Sequence, residues 1–324
     1  MFGSSTSGLI SIVGGGQQAY TTAGTFSWTA PAGVTSVSVV LVGGGGGGGN
    51  YFGSGGAGGG LAYKNNITVV PGTSYTVIVG AGGTGLPANT SAATAAGSLG
   101  TPYTGGTSSF SNGDITTTAT GGQHGSGNSS ATAPSGGVAR GNFDGGGTGG
   151  ISAGNYSANA GGDSSYMSSG GGGAGGYSGA GGAGAGSLAS NGTYVQPTAG
   201  SGGGGGGGAG MATSTGTINY GGAGGGGVGI LGSGSNGAAG TTDLTSASPD
   251  ATMVGQAGSG GTNGFVPVNS GSQFGGDGGP YGGGGGSGNA SSATSVGGNG
   301  GVGAVRIIWP GTTRQFPSTN TGNV

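Results

Sequence analysis

Apolar and polar residues alternate with a period of two in a few short windows, and glycine fills most of the space between them. In "GTFSWTAPAGVTSVSVVLVG" (residues 24–43), Phe26 and Trp28 alternate with Thr25, Ser27 and Thr29. Val37, Val39 and Leu41 then alternate with Ser36 and Ser38, and Pro31 and Gly33 supply turn chemistry between the two runs, so the pattern predicts a hairpin. "LAYKNNITVVPGTSYTVIVG" (61–80) predicts a second strand pair pivoting on Pro71-Gly72, a pair favoured at the centre of a type II turn. "TSSFSNGDITTTATGG" (107–122) predicts a third, around Asn112-Gly113, the preferred type I′ pair. "LISIV" (Leu9–Val13) reads as a first strand, and "GAVRIIWPG" (303–311) as a last one closed by Pro310. No 3.6-residue apolar period survives between the glycine runs. Glycine costs about 1 kcal/mol relative to Ala inside a helix, so the chain is expected to be mainly non-helical.

The glycine runs need an explanation of their own. "LVGGGGGGGN" (41–50) passes from an apolar strand into seven consecutive glycines, and similar runs recur at 170–173, 202–208, 224–227 and 282–286. Between Gly121 and Gly303, glycine-dense stretches alternate with polar segments such as "SLASNGTYVQPTAG" and "MATSTGTINY". Gly does not recur at every third position as in collagen. A left-handed threefold helix of polyproline II type, with ~3.1 Å rise and no internal hydrogen bonds, points its N–H and C=O groups outward. Several such helices side by side satisfy one another's backbone, and they pack closely only where no Cβ intervenes. Ordering each residue costs about 1–2 kcal/mol against roughly 1 kcal/mol returned per hydrogen bond. Such a bundle therefore needs a nucleus. The expected architecture is a small antiparallel β base (N-terminal hairpins plus the C-terminal strand) carrying a polyglycine II helix bundle. Residues 1–120 would form the hairpin-rich base with the first glycine runs, 121–303 the bundle with polar loops, and 304–324 the closing strand and tail, all as one composite domain. With both chain ends at the base, the turns of the bundle would fall at the opposite tip.

Composition tests this against disorder. Of 324 residues, 101 are Gly and 11 Pro, a content usual in low-complexity chains. Disordered segments, however, usually carry charge, whereas this chain has four basic residues (Lys64, Arg140, Arg306, Arg314), six Asp and no Glu. So few cations give no electrostatic footprint for nucleic acid or for a polybasic membrane surface. No Cys is present, which excludes disulfides and thiolate metal sites. The N-terminal stretch lacks a basic region and a long enough apolar core for a secretory signal, and no apolar run approaches the ~20 residues that span a bilayer. Membrane insertion is not expected, and an extracellular location would need an exit such as cell lysis.

Candidate chemistry is sparse. GxGxxG matches are numerous, but none is followed by the helix that a dinucleotide site requires. Lys64 in "LAYKNN" is not in a phosphate-loop context. His124, the single His, would need an orienting carboxylate and a nucleophile to act in a triad. A hydrogen-bonded or exposed His on a bundle loop is the simpler reading. Asp144, Asp163, Asp243, Asp250 and Asp277 are widely separated and read as turn residues, with too little clustering for Ca²⁺. The sequons at Asn66, Asn128, Asn155, Asn191 and Asn289 are those that a Ser/Thr-rich chain produces by chance. The expectation is therefore a non-enzyme with no cofactor and no metal. The aromatics of the polar segments, Phe143, Tyr156, Tyr166, Tyr194, Tyr220 and Phe274, are the receptor-binding candidates. They sit where bundle turns should fall, and Tyr among Ser, Gly and Asn is the composition of recognition loops. The same rings could equally cap the bundle ends.

The stretches "FSWTAPAGVTSVSVVLVGGGGGGG", "GGGLAYKNNITVVPGTSYTVIVGAGGTG" and "GGTSSFSNGDITTTATGG" resemble the glycine-rich domains of tailed-phage tail-fibre adhesins and related virion proteins. "GAVRIIWPG" is similar to the ends of such proteins in phages of marine cyanobacteria. The middle of the chain matches in style alone. The resemblance implies polyglycine II helices whose distal loops contact a receptor, a host surface glycan or outer-membrane protein, with a location on the virion (a tail fibre or other exposed surface). It also implies attachment to a phage fibre or another virion protein, and it allows a homo-oligomer. No virion-anchoring domain is recognisable before residue 9. The alternative reading is a structural virion or filament protein that self-assembles, or decorates a fibre or capsid, for instance through Leu9–Val13 as an exposed edge strand.

Overall fold

The computed structural model describes residues 14–318, apart from 52, 89–94, 128–131, 154–165, 188–193, 211, 214–220, 242–251, 267–273 and 290–293. Within these residues the chain forms strands, bridges and turns and no helix. The longer strands are β1 (Gly16–Tyr20), β2 (Gly24–Thr29), β3 (Ser36–Val42), β4 (Leu61–Thr68), β5 (Ser74–Val79), β6 (Ser108–Ser111), β7 (Thr116–Ala119), β8 (Ala139–Gly141), β9 (Gly145–Gly147) and β14 (Ala304–Trp309). Two-residue ladders add β10 (Tyr166–Met167), β11 (Gly186–Ser187), β12 (Tyr194–Val195) and β13 (Ala212–Thr213). Two five-stranded antiparallel sheets face each other, one in the order β1-β14-β3-β4-β9 and the other β2-β5-β6-β7-β8. The expected Leu9–Val13 strand lies outside the described residues.

Alternation decides which face each residue covers. Val37, Val39 and Leu41 of β3, with Val305 and Ile307 of β14, pack against Trp28, Tyr75, Val77 and Phe110 of the second sheet. Trp28 meets Trp309 at a ring-centroid distance of 5.9 Å and Phe110 edge-on at 6.3 Å. Strand β3 has no solvent face, because every one of its residues is buried. Its other side, Val40 and Val42 with Leu61, Ala304 and Ile308, is covered by Ala174, Tyr177, Val228, Ile230 and Phe316. Arg306 also lies on that side, fully buried. Its Nε donates to Gln17 Oε1 at 2.9 Å and its Nη1 to the Ile230 carbonyl at 3.2 Å.

Two expected hairpins are corrected. β2 pairs with β5, not with β3, and β3 pairs with β14 and β4. The Pro31 and Pro71-Gly72 turns exist, with Gly72 at φ +79°, but each carries the chain from one sheet to the other. The reason is that both strands of each pair bring an apolar face to the same core, and facing sheets bury both where one flat hairpin would not. The third hairpin is present, β6 with β7, but in the register Ser111↔Thr116. Its turn is therefore longer than the expected two-residue type I′. Asn112 Oδ1 accepts the amides of Asp114 (3.1 Å) and Ile115 (2.9 Å), and only Gly113 takes a positive φ. β14 closes the first sheet between β1 and β3, as expected of the terminal strand.

From the strand ends, the glycine segments continue as extended chain bonded sideways. The amides of Gly43, Gly46 and Gly49 donate to the carbonyls of Gly60, Ala57 and Ser54. Those of Gly44 and Gly47 reach Gly106 and Tyr103, and those of Gly45 and Gly48 reach Gly301 and Gly298. In return, Gly44 and Gly47 accept from Gly122 and Gly125, Gly45 and Gly48 from Gly83 and Leu86, and Gly46 and Gly49 from Gly285 and Gly288. Each neighbour is met again three residues later. Donor bonds run to antiparallel segments and acceptor bonds come from parallel ones, so the run 43–49 is surrounded and wholly buried. The segment 204–209 is likewise surrounded: it donates to 198–201, 171–174 and 253–256 and accepts from 182–185 and 237–240, which run parallel to it, and from 223–226, which runs antiparallel.

Candidate functional site

The direction of the segments positions everything that follows. Gly43 leaves β3, Gly80 leaves β5, and Gly60 and Gly303 arrive at β4 and β14, so these ends lie against the sandwich. Tyr177, Val228 and Ile230 also pack on the sandwich, which places their turns at the same end. The opposite end is where the run 43–49 meets Ser54, Ser126 and Gly288. Small polar residues replace glycine there. Ser54 and Ser126 exchange amide-to-hydroxyl bonds at 2.8 and 3.1 Å, the Ser169 amide donates to Ser287 Oγ at 2.7 Å, and Asn50 Nδ2 donates to the Pro87 carbonyl at 2.9 Å. All are buried. Asn50 Oδ1, Ser169 Oγ and Ser295 Oγ have no protein partner among the described residues. The serine and asparagine side chains take over where the backbone lattice ends.

His124 belongs to this region as a buried group. Its Nε2 accepts the Leu99 amide at 3.0 Å, which leaves Nδ1 to donate to the Gly125 carbonyl at 2.6 Å. The Tyr103 ring stands edge-on at 6.2 Å. Burial pulls the imidazole below its ordinary range, opposed by the bond to Gly125. Both nitrogens are engaged by backbone, so the ring is a fastener between segments rather than the exposed loop residue that was one of the expectations. Among the described residues, no group of three or more His, Cys, Asp or Glu could hold a metal ion. No helix there is long and apolar enough to cross a membrane.

The six aromatic candidates do not converge. Phe143 is 43% exposed but lies in the turn between β8 and β9, at the sandwich and not on a bundle turn, next to the Lys64–Asp144 ion pair (2.5 Å). Sequence alone missed this because β8 and β9 are short, glycine-containing strands without alternation. Tyr166 and Tyr194 fall in the ladders β10–β13 and β11–β12. Phe274 is 49% exposed and makes a parallel bridge to Val296. Tyr156 and Tyr220 lie outside the described residues. Phe265, which is 50% exposed, was not singled out by sequence reasoning; its position three residues after Thr262 on a "GTNGF" segment is the signal that could have found it.

A two-sheet base extended by laterally bonded, glycine-filled segments defines a glycine-rich β protein. The glycine-rich domain family matches residues 21–242, more than half of the chain, and the protein belongs to that family. No curated protein matches the chain at a significant level.

Proposed function

We propose that this protein is a phage tail-fibre-type adhesin: its glycine segments are polyglycine II helices on a β base, and their far-end connections bind a host surface glycan or outer-membrane protein. The three-residue recurrence of every lateral partner around Gly43–Gly49 supports the helix type, since a threefold helix meets each neighbour once per turn. One observation carries the function. The chain shuttles between sandwich and far end, and the described residues that flank the polar connections 154–165, 188–193, 214–220 and 242–251 lie at the end opposite the base; the first and third of these connections carry Tyr156 and Tyr220. A rigid scaffold that sends several polar connections out from one end suits recognition rather than chemistry.

Purified protein should bind intact marine cyanobacterial cells from a panel of strains, the host type suggested by the resemblance. Exchanging the four connections for those of another family member should change which strains are bound and leave the melting temperature within a few degrees. A protein that ignores every strain but polymerises, and stops polymerising when residues 1–13 are removed, is instead a structural virion or filament protein. That reading draws on β1 standing at the open edge of its sheet.

A further inference from the structure

One flank of the glycine lattice carries side chains in a regular grid. Four segments lie side by side there: 262–265, 274–280, 296–302 and 81–87. The Phe265 amide donates to the Asp277 carbonyl (2.8 Å), Gly278 to Asn299 (2.8 Å) and Gly300 to Gly83 (2.8 Å), and Phe274 bridges Val296. In each segment two of every three positions are committed. A Cβ on Gly275, Gly278, Gly297 or Gly300 would strike backbone deeper in the lattice, and one on Gly276, Gly279, Gly298, Gly301, Gly82 or Gly85 would strike the adjacent segment. Only the third position is free to face outward. The columns are thus Thr262 and Phe265; Phe274, Asp277 and Pro280; Val296, Asn299 and Val302; and Ala81, Thr84 and Pro87.

The polar row across these columns is held in place by its neighbours. Asp277 Oδ1 accepts the Asn299 amide at 2.6 Å, and Asn299 Oδ1 accepts the Gly85 amide at 3.1 Å. These bonds use one oxygen of each side chain and fix its orientation. They leave Asp277 Oδ2 as an acceptor and Asn299 Nδ2 as a donor on neighbouring segments, in one row of exposed residues with Thr84. Phe265 lies beside Asp277 in the same row. Phe274 stands one three-residue step away in the Asp277 column, about 9 Å along the segment. Both rings are half exposed, an arrangement that costs free energy in water unless something covers them.

We infer that this flank is a binding surface for a neutral pyranose glycan with equatorial substituents, separate from the far-end connections. Such a sugar has an apolar C–H face to lie on a phenyl ring and adjacent hydroxyls in its edge. One hydroxyl donates to Asp277 Oδ2 while its neighbour accepts from Asn299 Nδ2. Asp277 is the one charged side chain of these four segments, which disfavours acidic sugars. Two rings a repeat apart select an oligosaccharide over a monosaccharide.

The test is isothermal titration of the full chain with cellohexaose and chitohexaose, alongside an acidic oligogalacturonate. Saturable binding of at least one neutral hexamer, with none of the oligogalacturonate, is expected. Phe265→Ala and Phe274→Ala should each weaken it about tenfold, Phe274→Tyr should retain it, and Asp277→Asn should weaken it. The melting temperature should hold for the ring variants, whose side chains are half in solvent. Absence of binding to both neutral hexamers, or binding untouched by both ring truncations, overturns the inference. Neither result bears on the far-end reading, which the cell-binding exchange of 154–165, 188–193, 214–220 and 242–251 tests by itself.

Discussion

The carbonyl oxygen of Gln123 occupies the place where a Cβ on Gly46 would stand. The Gly46 amide meanwhile donates to the Ala57 carbonyl at 2.8 Å, and its own carbonyl accepts from Gly285. Gly46 is thus fixed on three sides by backbone, which cannot rotate away as a side chain can. Gly46→Ala should destabilise by about 3 kcal/mol or more, at or beyond the upper range of overpacking. Gly14→Ala, where nothing lies within 4 Å of the added carbon, should stay within about 0.5 kcal/mol. Thermal denaturation of the two variants checks this. Equal, small effects would remove the close-packed account of the glycine runs.

His124 makes stability depend on pH. Its folded-state pKa lies below the unfolded value because burial penalises the imidazolium. The unfolded chain therefore binds the proton more readily. The contribution is complete above the ordinary imidazole range near ~6.5 and is lost as pH falls through the depressed folded value. Protonation would also abolish the acceptor that holds the Leu99 amide. Denaturant unfolding at pH 7.5 and pH 5 should show the lower stability at pH 5, and His124→Asn should flatten that difference.

Arg306 places a guanidinium in the apolar layer behind β3, with Gln17 and the Ile230 carbonyl as acceptors. Gln17→Ala removes the side-chain acceptor from a buried cation and should cost about 1–3 kcal/mol. Because Gln17 lies on β1 and pairs with Ile308, the loss should appear first as faster amide exchange along β1. Gln17→Glu supplies a counter-charge, and chemical denaturation should find it less harmful than Gln17→Ala.

Several features were legible in particular residues. Asn112-Gly113 marks a true hairpin and "GAVRIIWPG" a true closing strand. The seven glycines after Val42 announce a place where no side chain fits. The partners of β2, β3, β4 and β5 were not legible, because Phe26-x-Trp28 and Val37-x-Val39 alternate identically whether their strands sit in one hairpin or in facing sheets. Alternation fixes a face and not a neighbour. Phe143 was misplaced for a related reason: a Phe among glycines and Asp looks the same at a bundle turn and at a sheet corner. The outward columns Phe274/Asp277/Pro280 and Val296/Asn299/Val302 were written in the chain as a three-residue spacing, but it runs for only a few residues in each segment.

What the sequence determined by itself is the backbone chemistry. Glycine in runs disfavours the α-helix, offers nothing to bury and lets chains approach to hydrogen-bonding distance, while short β-branched and aromatic windows at both ends provide a core on which to begin. What only the tertiary structure decided is which segment lies beside which. Lateral bonds between glycine backbones are nearly independent of sequence, so the order of segments follows from connection lengths, from the sandwich that fixes their starting points, and from the few residues, such as His124, Ser54 and Asn299, whose side chains fit at one place in the lattice.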